Sequence, residues 1–243
     1  MKKFALLAGL ILVLSACQSS KEVEVSFDNR YAEYVSGFTS GIISKKDNIS
    51  VELSSDVSLP STLPEDLLKV SPTVEGSLVA NGQTLVFSPK APLESGQQYI
   101  LELSLNKLIE VPEDMKIFKF SVKTIDQDFD LFIEELRTSD ISRPEILELN
   151  GEVSTADFAD DEAIEKMIQA EGQEVQWDHA GNTHSFKVLN IKRGEEAYSM
   201  NLAANGSPLD IEKTETKVVE VPSLKDFRVL SASVNLTGDK YVS

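Results

Sequence analysis

The chain has 243 residues, 40 acidic against 23 basic side chains, a formal net charge of −17, and a single cysteine. That charge argues against nucleic acid, whose phosphates need a basic face, and against electrostatic docking on anionic lipid. One cysteine leaves neither a disulfide within the chain nor a cysteine-built metal site, so the folded part must hold itself together by core burial.

The N-terminus reads MKKFALLAGLILVLSAC. Lys2 and Lys3 form a positive n-region, and Phe4 to Leu14 is an apolar run of eleven residues. Such a run suits a signal peptide and is too short to span a bilayer as a mature helix. It ends in Leu14-Ser15-Ala16-Cys17, small residues followed directly by a cysteine, which is the lipobox pattern. The expectation is a signal peptide over 1–16, cleavage between Ala16 and Cys17, and a diacylglycerol thioether-linked to Cys17. Each buried methylene adds about 0.8 kcal/mol to membrane affinity. Loss of 1–16 removes two lysines and no acid, and the formal charge becomes −19. The implied place is the cell envelope, lipid-anchored to the outer membrane on its periplasmic or surface face, with the bilayer as a partner. Gln18 is not the Asp that commonly retains lipoproteins at the inner membrane.

Residues 17–27 are polar and charged and read as a lipidated tether. From 28 to 124 the pattern is strands separated by turn chemistry. Ile49, Val51 and Leu53 alternate with polar residues, as do Tyr99, Leu101, Leu103 and Leu105, and Phe118, Phe120 and Val122. Asn81-Gly82 between Leu78 and Leu85-Val86-Phe87 signals a hairpin. The reading gives about seven strands, near 34–38, 49–54, 67–71, 76–80, 83–88, 98–105 and 117–124, and so an immunoglobulin-like sandwich. Leu93 to Tyr99 resembles a tyrosine corner, where a phenol closes a loop between sheets.

A second sandwich is expected over 125–220. Phe129, Leu131 and Ile133 alternate, Ile146 to Val153 continues in the same manner, and Val175-Gln176-Trp177 pairs with Phe186 to Ile191 across Ala180-Gly181-Asn182. Between these, Ile164 and Ile168 lie four apart, which predicts a short helix over about 161–170, capped by Asp160 and ended by Gly172. The expected class is all-β, tandem immunoglobulin-like β-sandwich domains, the second with one short helix. Val221-Pro222-Ser223 breaks the pattern, and 221–243 reads as the start of a further, truncated domain whose remainder would follow Ser243.

No reacting constellation emerges, and the chain is read as a non-enzyme without cofactor. Asp178, His179 and His184 are close in sequence, but their spacing is not H-E-x-x-H, and they read as a polar hairpin tip, with no metal expected. Asp126, Asp128 and Asp130 match the start of a calcium loop, but Leu131 and Arg137 stand where Gly and Glu belong, so these acids are assigned to solvating an inter-domain junction. Asp160 with Asp161, and Glu134 with Glu135, are adjacent acids without a converging pocket. Gly37 to Gly41 has its Ser one place late for a nucleophile elbow, and no P-loop or G-x-G-x-x-G occurs.

The order of parts resembles the bacterial α2-macroglobulin-like lipoprotein family. The likeness rests on the lipobox, on Thr84 to Leu93 with Gly96-Gln97-Gln98-Tyr99, on Gly151-Glu152-Val153-Ser154 with Trp177-Asp178-His179, and on Val221 to Leu230. It covers most of 17–243. The resemblance implies the membrane-anchored N-terminal domain array of a protease trap, with proteases and downstream domains of the same polypeptide as partners. In that family a bait region is cut, and in many members a thioester from a C-x-E-Q motif captures the attacker. No such motif is present, and Cys17 is the lipid anchor, so no trapping residue carries over. The alternative is an Ig-array adhesin, a scaffold, or a glycan-binding surface lipoprotein.

Overall fold

The computed structural model describes residues 28–226 except 139 and 171, and the backbone of 235–237 and 240–242. Ala16, Cys17 and the tether therefore lie outside the described residues.

In the first unit, β1 (Val35–Phe38), β3 (Ile49–Leu53), β6 (Thr84–Pro89) and β5 (Gly76–Asn81) form one sheet in that order. The facing sheet runs β2 (Gly41–Ile43), β8 (Ile117–Thr124), β7 (Gln98–Ser104), β4 (Leu68–Ser71). Lettered in chain order with the first strand split between the sheets, this is A-B-E-D facing A′-G-F-C, the immunoglobulin arrangement. β2, too short to be foreseen, pairs parallel with β8 and carries the exposed Ile42. Period-two alternation sends Tyr99, Leu101 and Leu103 of β7 and Phe118, Phe120 and Val122 of β8 inward, where they meet Ile49, Val51 and Leu53 of β3. Tyr99 closes the corner: its hydroxyl accepts from the Glu94 backbone N–H at 2.9 Å. The β5–β6 turn is one place on from the Asn-Gly signal, because Asn81 still pairs with Thr84 and Gly82 takes the positive φ of +62°.

The second unit has the same plan. β12 (Val175–Ala180), β13 (Thr183–Lys192), β10 (Ile146–Thr155) and β9 (Phe129–Thr138) make one sheet, and β11 (Ile168–Gln169), β14 (Tyr198–Asn205) and β15 (Thr214–Val221) the other. In letters these are D-E-B-A and C-F-G, the constant-type order. The molecule is all-β, two immunoglobulin-like sandwiches in tandem. Each has its own core, drawn from Val35 to Val122 in the first and from Phe129 to Val221 in the second.

The helix is shorter than its apolar spacing suggests. α1 covers Asp161–Glu165, and the chain is extended again at Ile168-Gln169, which pair with Ala204 and Ala203 of β14. The extended residues bond the open edge of β14, whose backbone groups a further helical turn would leave without partners. Asp160 stands at the cap position, but its side chain makes no capping bond; its carbonyl accepts from Ala163 and Ile164.

Past Glu220 the chain stays on the second sandwich. Val221 and Ser223 are buried, and the Arg193 guanidinium donates to the carbonyls of Pro222, Ser223, Asp226 and Pro144. Asn235–Thr237 and Lys240–Val242 form a small antiparallel ladder. The residues between Asp226 and that ladder lie outside the described ones.

The two sandwiches meet at a short joint. Ile125 is held by the first: its N–H donates to the Ile43 carbonyl at 2.9 Å, and its carbonyl accepts from Gly96 and Ser95. Two residues on, the Gln127 amide exchanges bonds with the Asp157 N–H and with the carbonyls of Asp157 and Phe158 in the second. Asp157, only 3% exposed, then reaches back: its carboxylate accepts from the Ser44 hydroxyl at 2.5 Å and the Lys45 N–H at 2.7 Å. The Lys46 ammonium sits 3.0 Å from the centroid of the Phe158 ring, a cation–π contact across the same joint.

Candidate metal centre

Gly181, at φ +64°, lets β12 and β13 reverse through two residues. That turn puts His179 directly opposite His184 in the antiparallel ladder. Both side chains fall on the inner face of the sheet, in the row that includes Val153 and Leu131. Their Nδ1 atoms are 2.9 Å apart. Trp177, two residues earlier on the same face, stacks on His179 with ring planes 6° apart and packs against Phe186.

β12 is an edge strand, and side chains of α1 reach its inner face. Residues four apart share one face of a helix, and Asp161 and Glu165 use that spacing to meet the histidine pair. Asp161 Oδ1 lies 3.7 Å from His179 Nδ1, and Glu165 Oε1 lies 3.4 Å from His179 Nε2. The ligand atoms of Asp161, His179 and His184 all fall within 4.8 Å of one another. Asp178 alternates to the outer face and is exposed, so the acid nearest in sequence is not the acid at the site. Asp161, eighteen residues before His179, replaces it; no sequence spacing announces that pairing.

His184 is fully buried, and its Nε2 has no hydrogen-bond partner among the described residues. Burial pushes its pKa down, with the His179 ring adding to the effect against a smaller pull from Asp161. The site thus presents a neutral imidazole, a half-buried second imidazole and a solvent-facing carboxylate, a nitrogen and oxygen donor set of the type that takes late first-row divalent ions.

Among the described residues the other acids single out no metal site. Lys213 bridges Asp128 and Asp130, at 3.0 and 3.7 Å, and Glu215 at 3.0 Å, while Asp126 pairs with Lys123. Glu134 pairs with Arg137 on the outer surface, and Gly37 to Phe38 belongs to β1. The opposite face of the His-bearing sheet carries a shallow groove of about 520 Å³, lined by Phe132, Glu134, Asn150, Gln176 and Lys187 among others. Phe132 is 55% exposed there, and Asn150 Oδ1 is buried without a partner among the described residues.

Strand order defines the class of protein: a tandem of immunoglobulin-like sandwiches. No family model matches the chain, and no curated protein does. Among solved structures, a titin Ig tandem is similar at 9% identity with a TM-score of 0.25, covering 79% of this chain and 97% of that one. A superposition that loose carries no argument, and the assignment stands on the two sheet orders.

Proposed function

We propose that this chain is a non-catalytic, membrane-anchored spacer in which two sandwiches act as one stiff unit. The single observation that carries it is the buried Asp157, whose carboxylate leaves its own sandwich to bond Ser44 and Lys45 of the other. A flexible linker would not place a nearly inaccessible carboxylate across the joint, because a buried charge without its partners costs several kcal/mol. The stiff unit is tethered through 17–27 to an acylated Cys17 in the outer membrane. The finer reading is the N-terminal array of a bacterial α2-macroglobulin-like protease trap, supported by the resemblance described above, with tethering and spacing as the role of this part.

A second reading, a glycan-binding surface lipoprotein, is favoured by the outer groove and its exposed Phe132. One fractionation experiment addresses the proposal. Antibody to residues 28–226 should detect the protein in the outer-membrane fraction, on a polypeptide far longer than 243 residues. The Cys17→Ser variant should move it to the soluble fraction. Sedimentation of that variant with membranes would refute the anchor, and a short membrane-bound product would refute the trap.

A further inference from the structure

We propose that Asp161, His179 and His184 bind a zinc(II) ion, pinning α1 to the β12–β13 hairpin. Tetrahedral zinc with ligands at about 2.0–2.1 Å sets its donor atoms about 3.3 Å apart. The observed separations of 2.9 Å between the two Nδ1 atoms and 3.7 Å from Asp161 to His179 bracket that spacing. All three donor atoms lie within 4.8 Å of one another, so the side chains must still close on the ion, and Asp161, the exposed member, is the one with room to move.

The second observation lies outside the donor set. His179 turns Nδ1 toward the site and Nε2 toward Glu165. A ligating histidine almost always donates its other ring N–H to a carboxylate, which fixes the tautomer and raises the basicity of the ligating nitrogen. Glu165 occupies that outer position, one helical turn after the ligand Asp161. Histidine and carboxylate donors without cysteine suit zinc, and an open fourth position on the Asp161 side, which is 63% exposed, is left for solvent. The scaffold holds the donors in place: His179 and His184 are neighbours in a ladder closed by a two-residue turn, and Trp177 backs the His179 ring.

The test is calorimetric titration of the purified, chelator-treated chain with zinc sulfate, alongside cobalt(II) spectroscopy. The expected result is one ion per chain at micromolar Kd or tighter, and a cobalt(II) spectrum of a low-coordinate site. Loss of an outer carboxylate costs about tenfold to a hundredfold, so His179→Gln and Asp161→Asn, which each remove a ligand, should weaken binding by more than that. Glu165→Gln should weaken it less, and Asp178→Asn should leave it unchanged. His184 is buried, so His184→Ala can unfold the hairpin; the half-buried His179 and exposed Asp161 variants, checked for unchanged circular dichroism, decide the matter without it. Absence of saturable binding, or binding that survives both His179→Gln and Asp161→Asn, would overturn the proposal.

Discussion

At Gly151 the sheet leaves no room for a side chain. Gly151 is opposite Phe186 in the β10–β13 ladder, and an added Cβ would lie 2.2 Å from Phe186 Cζ. The ring covers the glycine and fills the space a methyl would take, and at 3% exposure it has nowhere to retreat. Gly151→Ala should therefore destabilise the second sandwich by about 1–3 kcal/mol, the usual cost of overpacking a close-packed core. Urea denaturation followed through Trp177, which touches Phe186, reads this directly. A neutral substitution would mean that the Phe186 ring is free to move. The same row explains the histidine pair: once Phe186 fixes the register of β13, His184 two residues earlier can face only His179 and Val153.

Between elements, the second sandwich is closed by Lys213 rather than by a disulfide. Lys213, just ahead of β15, bonds Asp128 and the Phe129 carbonyl at the start of β9, and Glu215 on β15 accepts from the Leu131 N–H. The two sheets are thereby joined along one side. The Lys213 hydrogen bond holds the Asp128 carboxyl below its ordinary 3.8. For Glu215, burial pushes upward, but the bonds from Lys213 and Leu131 outweigh it and leave the group below its ordinary 4.5. A carboxylate with a depressed folded pKa contributes stability that is complete above its unfolded value and lost as pH falls through the folded one. Lys213 is shifted the opposite way: burial lowers it, its acid partners raise it further, and its contribution is complete below 10.5 and fades above. Lys213→Met should cost about 0.5–1 kcal/mol between these limits, and the difference from the parent should shrink once pH drops below 4.5. A pH-independent difference in urea midpoints would count against this account.

The elements most legible in the sequence are those whose alternation is unbroken over five or more residues, such as β3, β7, β8 and β10. The missed ones have physical reasons. β2 is three residues long with an exposed Ile42, and β15 reads Thr-Glu-Thr-Lys-Val-Val-Glu-Val, in which Val219 and Val221 are buried while Val218 is 62% exposed. Met167 and Ile168 fit a helical stripe as well as a strand, and only the backbone partners on β14 decide between them. At the candidate site, His179 and His184 were legible because a two-residue turn separates their strands. Asp161 and Glu165 were not, since their place depends on how α1 crosses the open edge of β12.

Over the whole molecule, the proposed spacer role requires the two sandwiches, linked by Ile125 to Gln127, to move as a unit, held by the bonds that Asp157, Gln127 and Ile125 make across or along the joint. The linker is three residues long, and Ile125 N–H, Ile125 C=O and Gln127 N–H are all bonded to the first sandwich. A stiff pair of this kind sets a fixed distance between its two ends, which a flexible linker of equal length cannot do. Nitrogen-15 relaxation of the Cys17→Ser protein, with and without Asp157→Ala, tests this most directly. A single anisotropic correlation time shared by 28–124 and 129–221 is expected in the parent, with two shorter, unequal times once Asp157 is removed; separate times in the parent itself, or no change in the variant, would rule out the stiff unit.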